Sequence, residues 1–383
     1  MRRKYLVGPF ICTFACWTYG NGTLPILPLY AMERGASETT SGLFLAFAFL
    51  CLALGTMATG LLPKDFRSRK WLIAASGLLM VGLTWLTSST TTLMQFAGAT
   101  GLNWFLAGVV FSQAATLTGF AADSADRGVA FGILGMSNGL GALIGGIGVG
   151  YVADRFGFTG VFGSIAALNI LIVIGGLLSV ESPAPLPAGP KGGERSRKAT
   201  IGALLVFLLA SQFLLAVTSG TGSLGRSLAM SSGGFSKSAI TLTASIGGVV
   251  ALCVPLFLGW LSDRIGRRWI LIATYLLTSA SLVLLAFSLA AWHFYVFAGL
   301  FAFIGIPFAV GPAYVMDIVP RESAARGVSL FQSLFWAGNI VGMAAGGIAF
   351  DKLGTSAPIL FSSLFPIAGV VLLLLIREHA RGN

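Results

Sequence analysis

The four charged residue types are spaced along this chain so that they leave ten long uncharged windows, and that spacing restricts what it can fold into. A charged side chain costs about 2.5–3.5 kcal/mol at the centre of a helix in lipid, so charge-free windows mark what a bilayer can hold. In order they are residues 5–32, 39–63, 71–122, 128–153, 156–180, 199–225, 238–262, 269–316, 327–350 and 353–376. Eight are 24 to 28 residues long, enough for one crossing each. The other two are 52 and 48 residues long and hold a short hairpin each, at Ser88-Ser89-Thr90-Thr91-Thr92 and at Ala291-Trp292-His293. Eight single and two double windows predict twelve transmembrane helices.

With 56% hydrophobic and 10% charged residues, the chain is far from a soluble globular composition. Twelve crossings use about 240 residues, which leaves roughly 11 for each loop or end and no room for a soluble catalytic domain. The chain is therefore not expected to be an enzyme. No cleavable targeting peptide is expected, because the first apolar stretch is long and lacks a small-residue cleavage site.

Window lengths repeat in the order single, single, double, single, single. Between the copies, Glu181 to Lys198 carries four prolines and six charges, the composition of a linker. The expected organisation is a six-helix bundle over 1–180, a cytoplasmic linker over 181–198 and a second bundle over 199–383. Short motifs repeat too. Gly20-Asn21-Gly22-Thr23-Leu24 recurs 200 residues later as Gly220-Thr221-Gly222-Ser223-Leu224. Arg127-Gly128 recurs as Arg326-Gly327, and Asp154-Arg155-Phe156-Gly157 as Asp351-Lys352-Leu353-Gly354, at offsets of 199 and 197. Nineteen of the 24 basic residues fall on the side that would hold both termini and the linker. By the positive-inside rule that side is the cytoplasm, in an inner (plasma) membrane. The net charge of +11 is a topology signal, and no nucleic-acid partner is expected.

The segment Gly259-Trp260-Leu261-Ser262-Asp263-Arg264-Ile265-Gly266-Arg267-Arg268 resembles the loop signature G-x-L-x-D-R-x-G-R-R of the major facilitator superfamily. With the span count and linker, the resemblance covers the whole chain. It implies an all-α membrane fold of two pseudo-symmetric six-helix halves that carries a small-molecule substrate by alternating access. Physically, Asp263 can meet the positive N-terminus of another helix, and Arg264, Arg267 and Arg268 can pair with acids at helix ends. These residues, with Gly266 and Arg127 at the start of span 5, are the expected conformational latch. The first-half copy departs from the signature: Lys64 stands at the acid position, Asp65 is shifted by one, and Arg67 replaces the glycine. Span 5 resembles the superfamily's antiporter pattern at Gly132, Gly141, Gly145 and Gly150, but Gly146 stands where proline is expected and Val149 replaces another glycine. Together with Gly338, Gly342, Gly346 and Gly347 of span 11, these read as small-residue packing faces.

None of the thirteen acids falls at mid-span, so a midplane carboxylate relay is not expected. Asp317 is expected to pair with Arg321 or Arg326. Polar side chains near the midplane are amides and one phenol. By helical rise, Asn138 lies about 15 Å from the cytoplasmic end, Asn339 about 18 Å, Gln212 about 20 Å, and Tyr19 and Asn21 about 21–24 Å. Asn103 lies roughly 15 Å from the outer end of its span. In the superfamily, spans 1, 4, 7 and 10 line the cavity. Tyr19, Asn21, Asn103, Asn138, Gln212 and Asn339, near Trp17, Trp104, Phe213 and Trp336, are therefore the candidate substrate contacts, suited to a neutral or amphiphilic organic molecule. Each amide could equally be a helix–helix hydrogen bond. Efflux is favoured over uptake. Arg226, roughly 40 Å along span 7, is expected to snorkel at the outer rim, and an anionic uptake substrate is the alternative if it binds one. A further alternative is a non-transporting membrane sensor or scaffold of the same fold. Cys12, Cys16, Cys51 and Cys253 read as packing residues, and no metal site or cofactor is expected. A monomer is expected.

Overall fold

The computed structural model describes residues 4–59, 69–121, 127–180, 203–318 and 321–375. The described residues are almost wholly helical. Uncharged windows leave a chain in lipid no way to satisfy its backbone except internally, and helices do so within each segment.

The first window, 5–32, together with Lys4, forms α1 (Lys4–Thr23) and α2 (Leu27–Met32), with Pro28 in the first turn of α2. Then follow α3 (Glu38–Ala58), α4 (Arg69–Thr87) and α5 (Leu93–Ala121). The 52-residue α6 (Arg127–Leu178) contains two crossings joined at Gly157, whose φ of 64° turns the chain between them. In the second half come α7 (Ala203–Ser232), α8 (Lys237–Ile265) and α9 (Arg267–Ala286). One crossing is built from α10 (Ala291–Phe301), a 3-10 turn (Ala302–Gly305) and α11 (Ile306–Ile318). The chain ends in α12 (Arg321–Leu353), then α13 (Ser356–Ser362) and α14 (Leu364–Leu375), which share the last crossing. Ten helical stretches of the described residues are long and apolar enough to cross a membrane. One of them, Gly132–Leu178, turns at Gly157 and supplies two crossings, and α1 with α2 adds the twelfth.

The repeat is also visible in the backbone. Positive φ occurs at Gly35 and Gly234, 199 apart, and at Gly157 and Gly354, 197 apart. A residue with a Cβ rarely adopts that conformation, which is why the Asp-basic-x-Gly motif ends in glycine in both copies. Two residues after the first pair, Ser37 and Ser236 cap the helices that follow, accepting from the N–H groups of Thr40 and Ala239.

The chain forms two compact units. One comprises residues 1–192 with 230–252, and the other 193–229 with 253–383. The first part of α8 thus packs with the first unit although it belongs to the second sequence repeat. Segment 181–198, expected to be the linker, lies outside the described residues apart from its position between the repeats.

Large apolar side chains such as Trp71, Leu78, Leu79, Trp85, Phe257, Trp260, Trp269 and Trp292 are more than half exposed or close to it. In water that would be an aggregation hazard; around a bundle in lipid it is the solvent-facing surface.

Candidate functional site

In the first unit, glycine brings α1 and the first part of α6 together. Gly141 abuts Trp17 and Thr18, and Gly145 abuts the Thr18 carbonyl and Gly22. This approach lets Asn21 Nδ2 donate to Asn138 Oδ1 at 2.8 Å, and Ser137 Oγ donate to Thr13 Oγ1 at 3.0 Å. Two of the six candidate contacts are thereby joined. Both amides are half-buried, as are Phe10, Phe14 and Trp17, which follow one another at helical spacing along one face of α1. The Trp17 ring packs against Phe111 of α5 with centroids 4.7 Å apart. The result is an accessible amide pair beside an aromatic wall.

Tyr19 is 3% exposed and turns away from that face. Asn103 is 1% exposed and committed to a network that sequence reasoning missed. Thr84 Oγ1 of α4 donates to Asn103 Oδ1 at 3.1 Å, Asn169 Nδ2 of α6 donates to Thr84 Oγ1 at 3.0 Å, and Asn103 Nδ2 donates to its own helix at Ala99. The available signal was Thr84 and Asn169 themselves, polar residues within apolar windows. Trp104 is also buried, edge-on to Phe49.

In the second unit, Gln212 is fully buried on α7, and its Oε1 accepts from the Tyr275 hydroxyl of α9 at 3.5 Å. Its Nε2 has no hydrogen-bond partner among the described residues. Asn339 of α12 donates to the Phe335 carbonyl one turn back, while its backbone carbonyl faces Gly220. Gly338 and Gly342 bring α12 onto Ala216 and Val217 of α7, and Thr221 Oγ1 donates to the Gly342 carbonyl. Arg226 is 8% exposed, with an unpartnered Nε among the described residues. It is therefore buried, and the expected snorkelling at the rim is corrected. It lies one turn beyond Gly222, which faces Phe301 of α10 and Leu282 of α9.

The glycines of α6 divide their packing between two neighbours. Gly141 and Gly145 face α1, whereas Gly146 and Gly150 face Thr241, Ser245 and Ser238 of α8. A Cβ at Gly146 would meet the Ser245 hydroxyl and the Thr241 carbonyl, so no proline ring fits where the antiporter pattern has one.

In the signature loop, Gly266 has φ 96° and links α8 directly to α9. Arg267 Nη1 donates to Asp317 Oδ2 at 2.6 Å and to the Ala313 carbonyl at 2.7 Å. Asp317 is thus paired through the signature arginine; the side chains of Arg321 and Arg326, the expected partners, lie outside the described residues. Arg268 donates to the Leu374 carbonyl, and Arg264 lies over the Trp260 ring at 4.0 Å. The side chains of Asp263 and Arg127 and the first-half loop over 60–68 lie outside the described residues. No cluster of three His, Cys, Asp or Glu suited to a metal occurs among the described residues.

The family model of the Major Facilitator Superfamily matches residues 9–233 and again 221–383, once for each repeat. The chain belongs to the Major Facilitator Superfamily. Among curated members, it is 27% identical over 375 residues to the multidrug resistance protein MdtG of Escherichia fergusonii, covering 91% of this chain and 88% of the relative. It is 34% identical over 135 residues to the class C tetracycline resistance protein of Escherichia coli, which covers 34% of this chain; the match spans only a third of that relative. Among solved structures, the nucleoside transporter NupG superposes with a TM-score of 0.75 at 14% identity, covering 98% of this chain and 99% of that one. A bacterial homologue of the lysosomal transporter Spinster gives 0.72 at 14%, covering 98% and 96%. These superpositions establish the fold. As a superfamily member the protein is a multi-pass membrane transporter.

Proposed function

We propose that this transporter moves a small neutral or amphiphilic organic solute, with export favoured over uptake. The observation that carries the reading is the half-buried Asn21–Asn138 amide pair beside Trp17 and Phe111. It offers neutral donors and acceptors next to aromatic surface and no fixed charge, the lining expected for such a ligand. The names of the multidrug and tetracycline resistance relatives agree with export. Asn21 and Asn138 are proposed as direct solute contacts. Tyr19 is proposed to support that pair from within the first unit, Gln212 and Asn339 to order the helices of the second, and Asn103 to hold the first bundle. A buried Arg226, whose Nε has no hydrogen-bond partner among the described residues, supports a second reading, uptake of an anionic solute. Both termini are proposed to be cytoplasmic, and the signature loop from Asp263 to Arg268 to act as a conformational switch.

The test is flux in proteoliposomes across a panel of neutral, cationic and anionic organic compounds. Saturable movement of neutral or amphiphilic compounds, weakened at least tenfold by Asn138→Leu, is expected. Selective movement of anions, lost in Arg226→Gln, would favour the second reading. In the same assay Asp263→Asn is expected to lower flux much more than Asp65→Asn, because only the second-half loop keeps the full signature. Equal losses would count against an asymmetric switch.

A further inference from the structure

The Asp-basic-x-Gly motif that closes span 5 is not explained by solute contacts. Asp154 lies three residues before the turn at Gly157, and both of its carboxylate oxygens are engaged by the start of α8. The Lys237 N–H donates to Oδ1 at 2.9 Å and the Ser238 N–H to Oδ2 at 3.0 Å. The first N–H groups of a helix have no partner within it and carry the positive end of its dipole. Here Ser236 takes the Ala239 N–H, and Asp154, 83 residues away in sequence, takes the two before it. Lys237 Nζ lies 3.2 Å from Glu33 Oε1 at the end of α2 and 3.8 Å from the centre of the Phe158 ring.

Behind this cap the two helices run together on small residues. Ser238 and Thr241 lie on Gly150, Thr241 and Ser245 on Gly146, and Gly248 on Gly139. Ser245 Oγ donates to the Leu143 carbonyl at 2.8 Å. The seam therefore spans α6 residues 139–154, about 22 Å by helical rise. It stops where the first unit stops, at Leu252, and Pro255 follows within the same helix. Proline removes a helical hydrogen bond and weakens the helix at that point. The segment 237–252 is thus tied to α6 at its tip and has a soft point at its root.

We propose that Asp154, with the Glu33–Lys237 pair, is a reversible latch that holds the first part of α8 on α6, at the membrane face opposite the signature loop. Opening of that face requires the carboxylate to let go of the helix N-terminus, with Pro255 absorbing the bend. The inference rests on the proposed transport function, but its test does not depend on a known solute.

In a background with Cys12, Cys16, Cys51 and Cys253 replaced, a single cysteine at Ser245 reports the seam to a membrane-impermeant maleimide in sealed proteoliposomes. Asp154→Asn keeps the shape and removes the charge, and is expected to raise the labelling rate about tenfold. Glu33→Lys is expected to raise it about threefold, and Glu33→Lys with Lys237→Glu to bring it back toward the parent. Unchanged labelling in Asp154→Asn, with the parent labelled at a measurable rate, would overturn the latch, as would labelling raised equally by Asp154→Glu. Monodisperse elution of each variant separates release of the seam from misfolding. Labelling that responds as expected in a protein without flux would leave the latch standing and defeat the transport reading. Flux with unresponsive labelling would do the reverse.

Discussion

Gly342→Val is expected to abolish accumulation of folded protein in the membrane. A Cβ at this position falls on the Val217 carbonyl oxygen, and no rotamer change can move a backbone atom aside. The contact is one of a series. Gly338 meets Ala216 and the Phe213 carbonyl, Gly220 meets the Asn339 carbonyl and the Met343 N–H group, and Thr221 donates to the Gly342 carbonyl at 3.1 Å. Valine would have to push α7 and α12 apart and break these together. Overpacking a core costs about 1–3 kcal/mol even when side chains can yield, and domains have only about 5–15 kcal/mol to lose. Gly82→Val is the control, since nothing approaches a Cβ there. The monodisperse fraction after detergent extraction is expected to collapse for Gly342→Val and to hold for Gly82→Val. Similar yields would show that close approach of α7 and α12 is not needed for folding.

Arg267→Glu is expected to lower flux at least tenfold while the protein still reaches the membrane. The arginine lies 2.6 Å from Asp317 and 2.7 Å from the Ala313 carbonyl, with side-chain exposures of 24% for Arg267 and 36% for Asp317. Ion pairs this exposed contribute about 1 kcal/mol or less, so Arg267→Ala is expected to be mild. Reversal differs from deletion, because it sets two carboxylates and a carbonyl oxygen against one another and drives α9 from α11. Adding Asp317→Arg in the same chain is expected to restore part of the flux. Arg267→Lys, which keeps the charge but carries it on a side chain one bond shorter than Nη1, is expected to fall between parent and reversal. Flux unaffected by Arg267→Glu would remove the signature arginine from the transport cycle.

Much of the fold could be read before any coordinates were known, because in lipid the position of each charge is a strong constraint. Asp154 and Arg155 break an uncharged run and so announced a boundary between spans 5 and 6. They could not announce that the boundary is a tight turn at one positive-φ glycine, with helix on either side. Proline and polar residues were weaker guides. The window 5–32 reads as one span, yet it divides into α1 and α2 around a turn ahead of Pro28.

The site was legible only in part. Composition and depth singled out Asn21 and Asn138 as candidates, and the glycine motif explains why the two amides meet. Depth alone could not tell a lining amide from one used inside the bundle. Asn103 and Gln212 sit at suitable heights but turn toward Thr84 and Tyr275 on spans 3 and 9. The partner of Asp154 was out of reach for a different reason. A carboxylate that caps a remote helix needs only backbone N–H groups, and those leave no residue signature.

The turn at Gly157 has a practical consequence for anyone mapping this protein. Spans 5 and 6 are joined by no extended strand, so an inserted epitope or protease site there would have to unwind a helix end before an antibody or enzyme could grip it. Reporters of sidedness belong instead around residues 88–92 or 288–290, where the backbone already leaves helical geometry.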